Sequence, residues 1–361
     1  MKRIVTKIAL MMLALTLVGG QLQAQFTTTF AKNVNPGQQN GVYYSLPQTM
    51  LKVDFIIEEV KLEKSPLGDY AFSHFEFEDV VEYETTEYKL LDVQMSTVSS
   101  PDPQATFFVT MTGMRGNKTQ FDMLPNGIIR SVAIGNAVDA EVVLPDTNNE
   151  PLPCLQEEEE ATDGFIPLMM AGKSKVQMAK EVADKIAEIR KAKFYLISGD
   201  VEMASNPETF KTMYKELDAM EKEYTSLLLG KRVGKKVVRT VYVIPTKGAP
   251  TQTIAKFSEV DGLTVGTGGS GTPISVQTLS LNTTAAINAP SQSALESMSY
   301  ENKVFYRVPE MAQVKVIYGN TTLLEKRVSV NQLGAVLIAP LMNTKLTFDT
   351  ETGQIINMRM Q

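Results

Sequence analysis

The chain has 361 residues, of which 43% are hydrophobic, and its formal net charge at pH 7 is −6. That hydrophobic content is enough for a packed core and argues against a disordered chain, and the length allows two or three domains. The acidic balance argues against binding to nucleic acid or to anionic lipid, since both depend on clustered Lys and Arg. One Cys and one His exclude an internal disulfide and a tetrahedral zinc site built from these residues.

The N-terminus has the layout of a cleaved secretory signal. Three basic residues precede an apolar run over residues 8–18, and Ala24 is a small residue at the last position before Gln25. The run is too short to span a membrane, and no later stretch is long and apolar enough to do so. Residues 1–24 are therefore predicted to be a signal peptide, with a retained N-terminal anchor as the alternative. We expect an exported protein, either periplasmic or associated with the outer membrane or cell surface.

Residues 42–146 are predicted to form a β-rich domain after a flexible N-terminal lead over 25–41. The lead is polar and contains the breaker Asn35-Pro36-Gly37, whereas apolar and charged residues mix in a strand pattern from Met50 to Glu63. Further strand patterns, with a break expected over 99–103, lie in "YETTEYKLLDVQMSTV", "ATFFVTMTGMRG" and "GIIRSVAIGNAVDAEVVL". Residues 147–172 predict an acidic linker, because four successive glutamates are typical of a solvated loop; metal binding is the alternative.

Residues 173–230 predict a long helical hairpin. Its ends are marked by Ser174 with Gln177 as a capping box, Gly199 as the first stop, Asn206-Pro207 as the second start and Gly230 as the second stop. Apolar residues recur at helical spacing through both segments. Because the connection is short, the two helices are expected to pair antiparallel, although a Met and aromatic stripe of this kind could instead dock a partner helix.

Residues 234–361 predict an antiparallel β domain that resembles a sandwich. Alternating apolar and polar residues run through the segment, and Gly319-Asn320 and Thr352-Gly353 are placed to turn two hairpins. The fold class is therefore predicted as α+β, with two predominantly antiparallel β domains joined by the helical hairpin.

Nucleophilic catalysis has little support in the sequence. The single histidine, His74, could act as the base of a Ser-His-Asp triad, but the sequence contains no Gly-x-Ser-x-Gly nucleophile elbow to supply the serine. No Ser is followed by Lys three residues later, so Ser-Lys catalysis is also poorly supported. Cys154 lies beside Pro153 without a catalytic signature. Both residues are expected to be structural, Cys154 as a buried thiol or in a quiet loop position.

Two short motifs have a structural interpretation beside a chemical one. The glycine-rich stretch 262–272 lacks the Lys-Ser/Thr of a phosphate-binding loop, so we expect a loop between strands. Asp349, Glu351 and Gly353 match part of a calcium loop, but the remaining ligands are missing and a hairpin turn explains the same residues.

A dense acidic cluster supplies the strongest enzymatic alternative. It consists of Glu76, Glu78, Asp79, Glu82 and Glu84. Two acids that face one cleft would suffice for glycoside hydrolysis, but sequence alone does not place them across a groove. The absence of Trp lowers the odds of a sugar-stacking platform.

Several stretches, in order along the chain, carry a family resemblance. They are "YYSLPQTMLKVDFIIEEVKLEKSPLGDYA", "DVVEYETTEYKLLDVQM", "SPDPQATFFV", "ELDAMEKEYTSLLLGK", "YRVPEMAQVKVIYGNTTLLEKRVSV" and "FDTETGQI". These stretches resemble a family of secreted Bacteroidetes-type proteins known as the domain of unknown function DUF4831. The resemblance implies an envelope protein with several β elements around a helical hairpin, and it implies no catalytic or ligand-binding residue.

The sequence thus predicts no catalytic, cofactor-binding or metal-binding residue and no cofactor. The leading hypothesis is a non-enzymatic envelope protein that acts in binding, adhesion or scaffolding. Its expected partner is another envelope protein or a surface glycan, and not a nucleic acid. The alternatives are a carboxylate-dependent glycan hydrolase and a small-ligand binder with a pocket between the hairpin and a sheet.

Overall fold

The computed structural model describes residues 26–35, 40–71, 80–111, 119–134, 172–198, 207–341 and 344–360. The strands in this part of the chain are β1 (Phe26–Phe30), β2 (Gly41–Glu63), β3 (Thr85–Met111), β4 (Thr119–Met123), β5 (Ile129–Ile134), β6 (Lys231–Val243), β7 (Thr251–Ser258), β8 (Gly262–Val265), β9 (Thr272–Ser280), β10 (Tyr300–Glu301), β11 (Lys303–Tyr318), β12 (Thr321–Pro340), β13 (Thr344–Phe348) and β14 (Ile355–Met360). The helices are α1 (Lys175–Ser198), α2 (Pro207–Leu229) and the short α3 (Gln292–Glu296).

The strands form three sheets. Their orders are β10-β1-β3-β2-β6 in the first sheet, β12-β11-β9-β7-β8 in the second and β14-β13-β5-β4 in the third. Neighbouring strands within these sheets run antiparallel, from the short β1–β10 contact to the long β2–β3 hairpin. The predicted α+β class with mostly antiparallel sheets is therefore confirmed in the described part of the chain.

Long-range pairing joins the two segments that the sequence presents as successive β domains. β2 pairs with β6 along thirteen residue pairs, and β5 pairs with β13. Residues 26–30, expected to belong to a flexible lead, form β1 and pair with β3 and β10. The first and third sheets thus contain strands from both sides of the helices, because pairing partners are chosen by tertiary packing and not by local alternation.

The long strands β2 and β3 pass through two hydrophobic cores. Tyr44, Phe107 and Phe305 belong to the first core, where Phe107 stacks on Phe305 with ring centroids 4.2 Å apart. The hydroxyl of the buried Tyr44 accepts a hydrogen bond from the Phe305 N–H at 2.9 Å, which joins β2 to β11. The second core lies further along the same strands, between the first and second sheets, and includes Leu51 and Phe55 of β2.

β3 is one continuous strand, although Pro101 and Pro103 predicted a break. Ser99 and Ser100 pair with Thr49 and Gln48 of β2, and the register then shifts at Pro47. Proline is tolerated at such an irregularity because it removes one ladder hydrogen bond without ending the strand.

The two predicted helices are present; the predicted stop at Gly199 and the cap at Asn206 lie outside the described residues, and the other signals for their ends are confirmed. The Ser174 N–H donates to Oε1 of Gln177 at 3.1 Å, and the Gln177 N–H donates to Oγ of Ser174 at 3.4 Å, which is a capping box. Gly230 ends α2 with a φ of +88°, and a Cβ there would lie 2.5 Å from the Glu63 carbonyl oxygen. Only glycine satisfies both conditions.

The helix pair is attached to the far end of the β2–β3 hairpin. The Ser65 hydroxyl is within hydrogen-bond distance of the Leu227 and Leu228 carbonyls, at 2.9 and 2.8 Å, and the Val81 N–H donates to the Leu229 carbonyl at 2.8 Å. These contacts bind carbonyls at the end of α2, which have no partner within the helix. A third apolar cluster, including Leu67 of the connection, packs at this base.

Ion pairs fix the direction of the two helices. Arg190 of α1 contacts Glu221 of α2 at 2.6 Å, and Lys193 contacts both Asp218 and Glu221 at 2.8 Å. The partner residue number falls as the α1 number rises, so the helices lie antiparallel. Burial lowers the pKa of the Lys193 ammonium, but its contacts with Asp218 and Glu221 outweigh this and raise the pKa above its ordinary value.

Candidate functional site

Most of the chemically interesting residues of the sequence lie outside the described part of the chain. These are His74, Cys154, Glu76, Glu78 and Asp79, together with the acidic linker. Glu82 and Glu84 are described, and both are exposed to solvent in the connection that precedes β3. The role of the acidic cluster in hydrolysis therefore stays a prediction.

The glycine-rich stretch and the motif that resembles part of a calcium loop both lie at connections between strands. The glycine-rich stretch 262–272 contains β8 and continues through residues 266–271 to β9, and a Cβ at Gly271 would lie 2.4 Å from the Phe257 carbonyl oxygen. At the other motif, the Asp349 carboxylate accepts hydrogen bonds from the Glu351 N–H at 3.0 Å and the Thr352 hydroxyl at 2.8 Å. The hairpin turn at Asp349 is confirmed, whereas the predicted loop over 262–272 is confirmed for residues 266–271 only, because residues 262–265 form β8 and pair with β7.

A buried ion pair that the sequence did not reveal lies between the two large cores. Arg307 of β11 donates to the Asp102 carboxylate of β3 at 2.7 Å and to the Pro47 carbonyl at 2.7 Å. The other Asp102 oxygen accepts the Gln104 N–H at 2.9 Å. Burial lowers the pKa of the Arg307 guanidinium, and the contact with Asp102 partly offsets this effect. Arginine nevertheless stays charged in proteins, so the pair stays ionic.

Further polar side chains extend this ion pair into a layer across the molecule. The Thr49 N–H donates to Oε1 of Gln332, and Nε2 of Gln332 donates back to the Thr49 carbonyl, both at 3.0 Å. Nδ2 of the buried Asn331 donates to the Glu351 carbonyl at 2.6 Å, in the turn between β13 and β14. We name this layer the polar waist; it consists of Thr49, Asp102, Arg307, Asn331 and Gln332. It links all three sheets, although Nε of Arg307 and Oδ1 of Asn331 are buried without a hydrogen-bond partner among the described residues.

A second buried carboxylate, Glu310, holds a loop. Its oxygens accept hydrogen bonds from the N–H and hydroxyl groups of Thr283 and Thr284, at 2.7 Å for the Thr283 N–H and 2.9 Å for the Thr284 N–H. Burial raises the pKa of Glu310, but these bonds to the charged form outweigh it and lower the pKa to about 2. Glu310 is therefore an ionised anchor at neutral pH and a poor proton donor.

One small cleft lies at the edge of the first core. Its volume is about 270 Å³, and its lining residues are Phe30, Lys32, Pro103, Gln104, Thr106, Gln292 and Glu296. The Lys32 ammonium contacts the Glu296 carboxylate at 2.5 Å, and this contact lowers the pKa of Glu296. The lining of the cleft is partly polar and partly apolar. The cleft lies beside β1 and α3, not between the helices and a sheet where the small-ligand hypothesis placed a pocket.

The end of the helix pair opposite its base is apolar and exposed. We name this surface the helix tip; it consists of Phe194, Tyr195, Ile197, Met213 and Tyr214. Ile186 and Ile197 are eleven residues apart and so lie on one face of α1, yet Ile186 is fully buried and Ile197 is 64% exposed. Ala183 and Phe194 have the same spacing, and Phe194 is 66% exposed. Leu196, between Phe194 and Ile197, is buried, so part of the apolar face of α1 is covered at the tip and the part that carries Phe194 and Ile197 is exposed to solvent.

Two kinds of feature are absent from the described residues. No group of three or more His, Cys, Asp or Glu side chains among them is arranged to hold a metal ion. No helix in that part of the chain is long and apolar enough to cross a membrane.

Comparison with known proteins identifies a family. No curated protein and no solved structure matches the chain. A family model matches residues 40–356, from the residue before β2 into β14, so the match includes all three described helices and strands of all three sheets. The resemblance seen in the sequence is confirmed: the chain belongs to the family described as a domain of unknown function (DUF4831).

Proposed function

We propose that this chain is a non-enzymatic binding or scaffolding protein of the cell envelope, and that the helix tip is its contact surface for a protein partner. The observation that carries the proposal is the exposure of Phe194 and Ile197 on a face that is buried three turns earlier. Contiguous exposed apolar side chains on a soluble domain are typical of interaction sites.

The buried charges support a structural role for the body of the molecule. Asp102 is paired with Arg307, and Glu310 accepts four hydrogen bonds from two threonines. Catalytic acids instead need a pKa near the working pH and access to a substrate. Export is part of the proposal and is supported by the signal-like pattern of residues 1–24.

Site-specific photo-crosslinking in intact cells tests the proposal. A photoreactive residue at Phe194 or at Ile197 should give one shared crosslinked product. The same residue at Val260, which is 74% exposed in the turn between β7 and β8, serves as the matched control and should not give that product. With the crosslinker at Phe194, Ile197→Ser should abolish the product, whereas Val260→Ser should leave it.

Two results would contradict the proposal. Equal crosslinking from Val260 and the helix tip would show that contact is unspecific. Glycan turnover by the purified protein, lost in Glu82→Gln or Glu84→Gln, would instead establish the hydrolase alternative.

A further inference from the structure

A second surface, independent of the helix tip, lies on β6. In the described part of the chain, β6 is the last strand of the first sheet, and its one neighbour is β2. The pairing runs from Leu51–Val243 to Glu63–Lys231 without an irregularity. An edge strand of thirteen residues, about 43 Å long, presents a row of backbone N–H and C=O groups that another strand can pair with.

The charge of this strand is opposite to that of the whole chain. β6 carries five basic residues within nine positions, while the formal net charge of the protein is −6. They are Lys231, Arg232, Lys235, Lys236 and Arg239. The first six residues of β6 are exposed on both faces of the sheet, and Val233 and Val238 are 52% and 46% exposed. The edge therefore offers positive charge interleaved with apolar side chains.

The chain itself shows which kind of strand pairs with β6. On its inner side, β2 places Glu58 opposite Lys236, Glu59 opposite Lys235, and Glu63 opposite Lys231. Opposite charges across a strand pair are stabilising, and like charges are destabilising. A second copy of β6 at this edge would set positive charge against positive charge. Repulsion between lysines on edge strands is a known means of preventing self-association. Because a second β6 is disfavoured in this way, an acidic strand is the favoured occupant of the edge.

We propose that the outer edge of β6 binds an acidic, extended peptide segment as an added strand. Backbone hydrogen bonds would supply affinity, and carboxylates opposite the basic residues would supply specificity, as in other cases of strand addition. The occupant would have acidic residues alternating with apolar ones, so that all its carboxylates lie on one face of the sheet and all its apolar side chains on the other. Its carboxylates would then meet Arg232 and Lys236, and its apolar side chains would meet Val233 and the half-buried Val237, which lie on the opposite face of β6.

Three synthetic peptides of about eight residues test the proposal on the full-length protein. The first alternates Glu and Val, the second alternates Lys and Val, and the third is the Glu–Val peptide with N-methyl groups on alternate amides. By fluorescence anisotropy, the Glu–Val peptide should bind at least tenfold more tightly than either of the others. Hydrogen exchange should slow at the β6 amides when that peptide binds.

Charge-reversed variants locate the site. Arg232→Glu/Lys236→Glu should weaken binding of the Glu–Val peptide at least tenfold, and Lys211→Glu/Lys215→Glu on α2, with the same charge change, should alter it less than about twofold. All four positions are exposed, so a thermal melt should show both variants folded. If the N-methylated peptide bound as tightly as the unmethylated Glu–Val peptide, charge attraction without backbone hydrogen bonds would explain the binding, and the proposal would be overturned. Equal effects of the two variants, or protection of β6 that appears without peptide as protein concentration rises, would also overturn it.

Discussion

The body of this protein, which consists of the three sheets, and the helix pair, α1 and α2, bury their apolar residues to very different extents. In the body, two cores flank the polar waist, and strands β2 and β3 contribute large side chains to both. In the helix pair, α1 has six buried residues, whereas in α2 Leu228 alone is buried. Both helices have an apolar pattern at helical spacing, yet α1 buries many more of its apolar residues than α2 does. Regularity predicts the face of an element, and coverage by other elements decides whether that face is stabilising or available for binding.

The largest loss of stability is expected from Asp102→Ala, which removes one partner of the buried ion pair in the polar waist. The variant leaves the buried Arg307 guanidinium without its counter-ion, so the free energy of unfolding should fall by about 3–5 kcal/mol. Urea unfolding at neutral pH measures it. Lys61→Ala, at the exposed Lys61–Glu63 pair, is the control and should change stability by less than about 0.5 kcal/mol. Equal losses in the two variants would show that the waist does not hold the body together.

A matched pair on α1 sharpens the contrast between base and tip. Ile186→Ala removes a fully buried side chain and should destabilise the helix pair by about 2–4 kcal/mol. Ile197→Ala makes the same chemical change on the same face at an exposed site and should cost less than about 0.5 kcal/mol. Native-state hydrogen exchange of the α1 amides measures both. A large loss from Ile197→Ala would mean that the tip is part of a core.

A smaller, pH-dependent effect is expected at Glu310. Because its pKa in the folded protein is about 2, below the ordinary 4.5, its contribution is fully present above pH 4.5 and is lost as the pH falls toward 2. Glu310→Gln should therefore cost about 1–2 kcal/mol at pH 7, since the threonine donors lose a charged acceptor. The difference between variant and wild type should shrink toward zero near pH 2. Urea unfolding at several pH values measures this, and a constant difference would contradict the assignment.

Features that depend on neighbouring residues could be predicted from the sequence. The capping box at Ser174 and the stop at Gly230 involve contacts within one turn, so their residue types are sufficient. The hairpin turn at Asp349 is likewise local. The proline-containing stretch 99–103 was a misleading local signal, because pairing with β2 carries the strand through it.

The polar waist and the Glu310 anchor could not be predicted, because their partners are distant in the chain. Asp102 and Arg307 are separated by 205 positions, and Glu310 and Thr284 by 26. No spacing rule connects such residues, and each looks like an ordinary surface charge in the sequence. The interleaving of strands from the two β-rich segments was hidden for the same reason.

The sequence by itself determined the family, the mostly antiparallel β character, the start of α1 and the end of α2, since these follow from patterns over a few residues or over the whole chain at once. Tertiary structure alone decided which strands share a sheet, which charges are buried as pairs and which part of the α1 face is left in solvent. The physical reason is that burial is a property of the elements that cover a side chain: Ile186 and Ile197 differ in what packs over them and not in what they are.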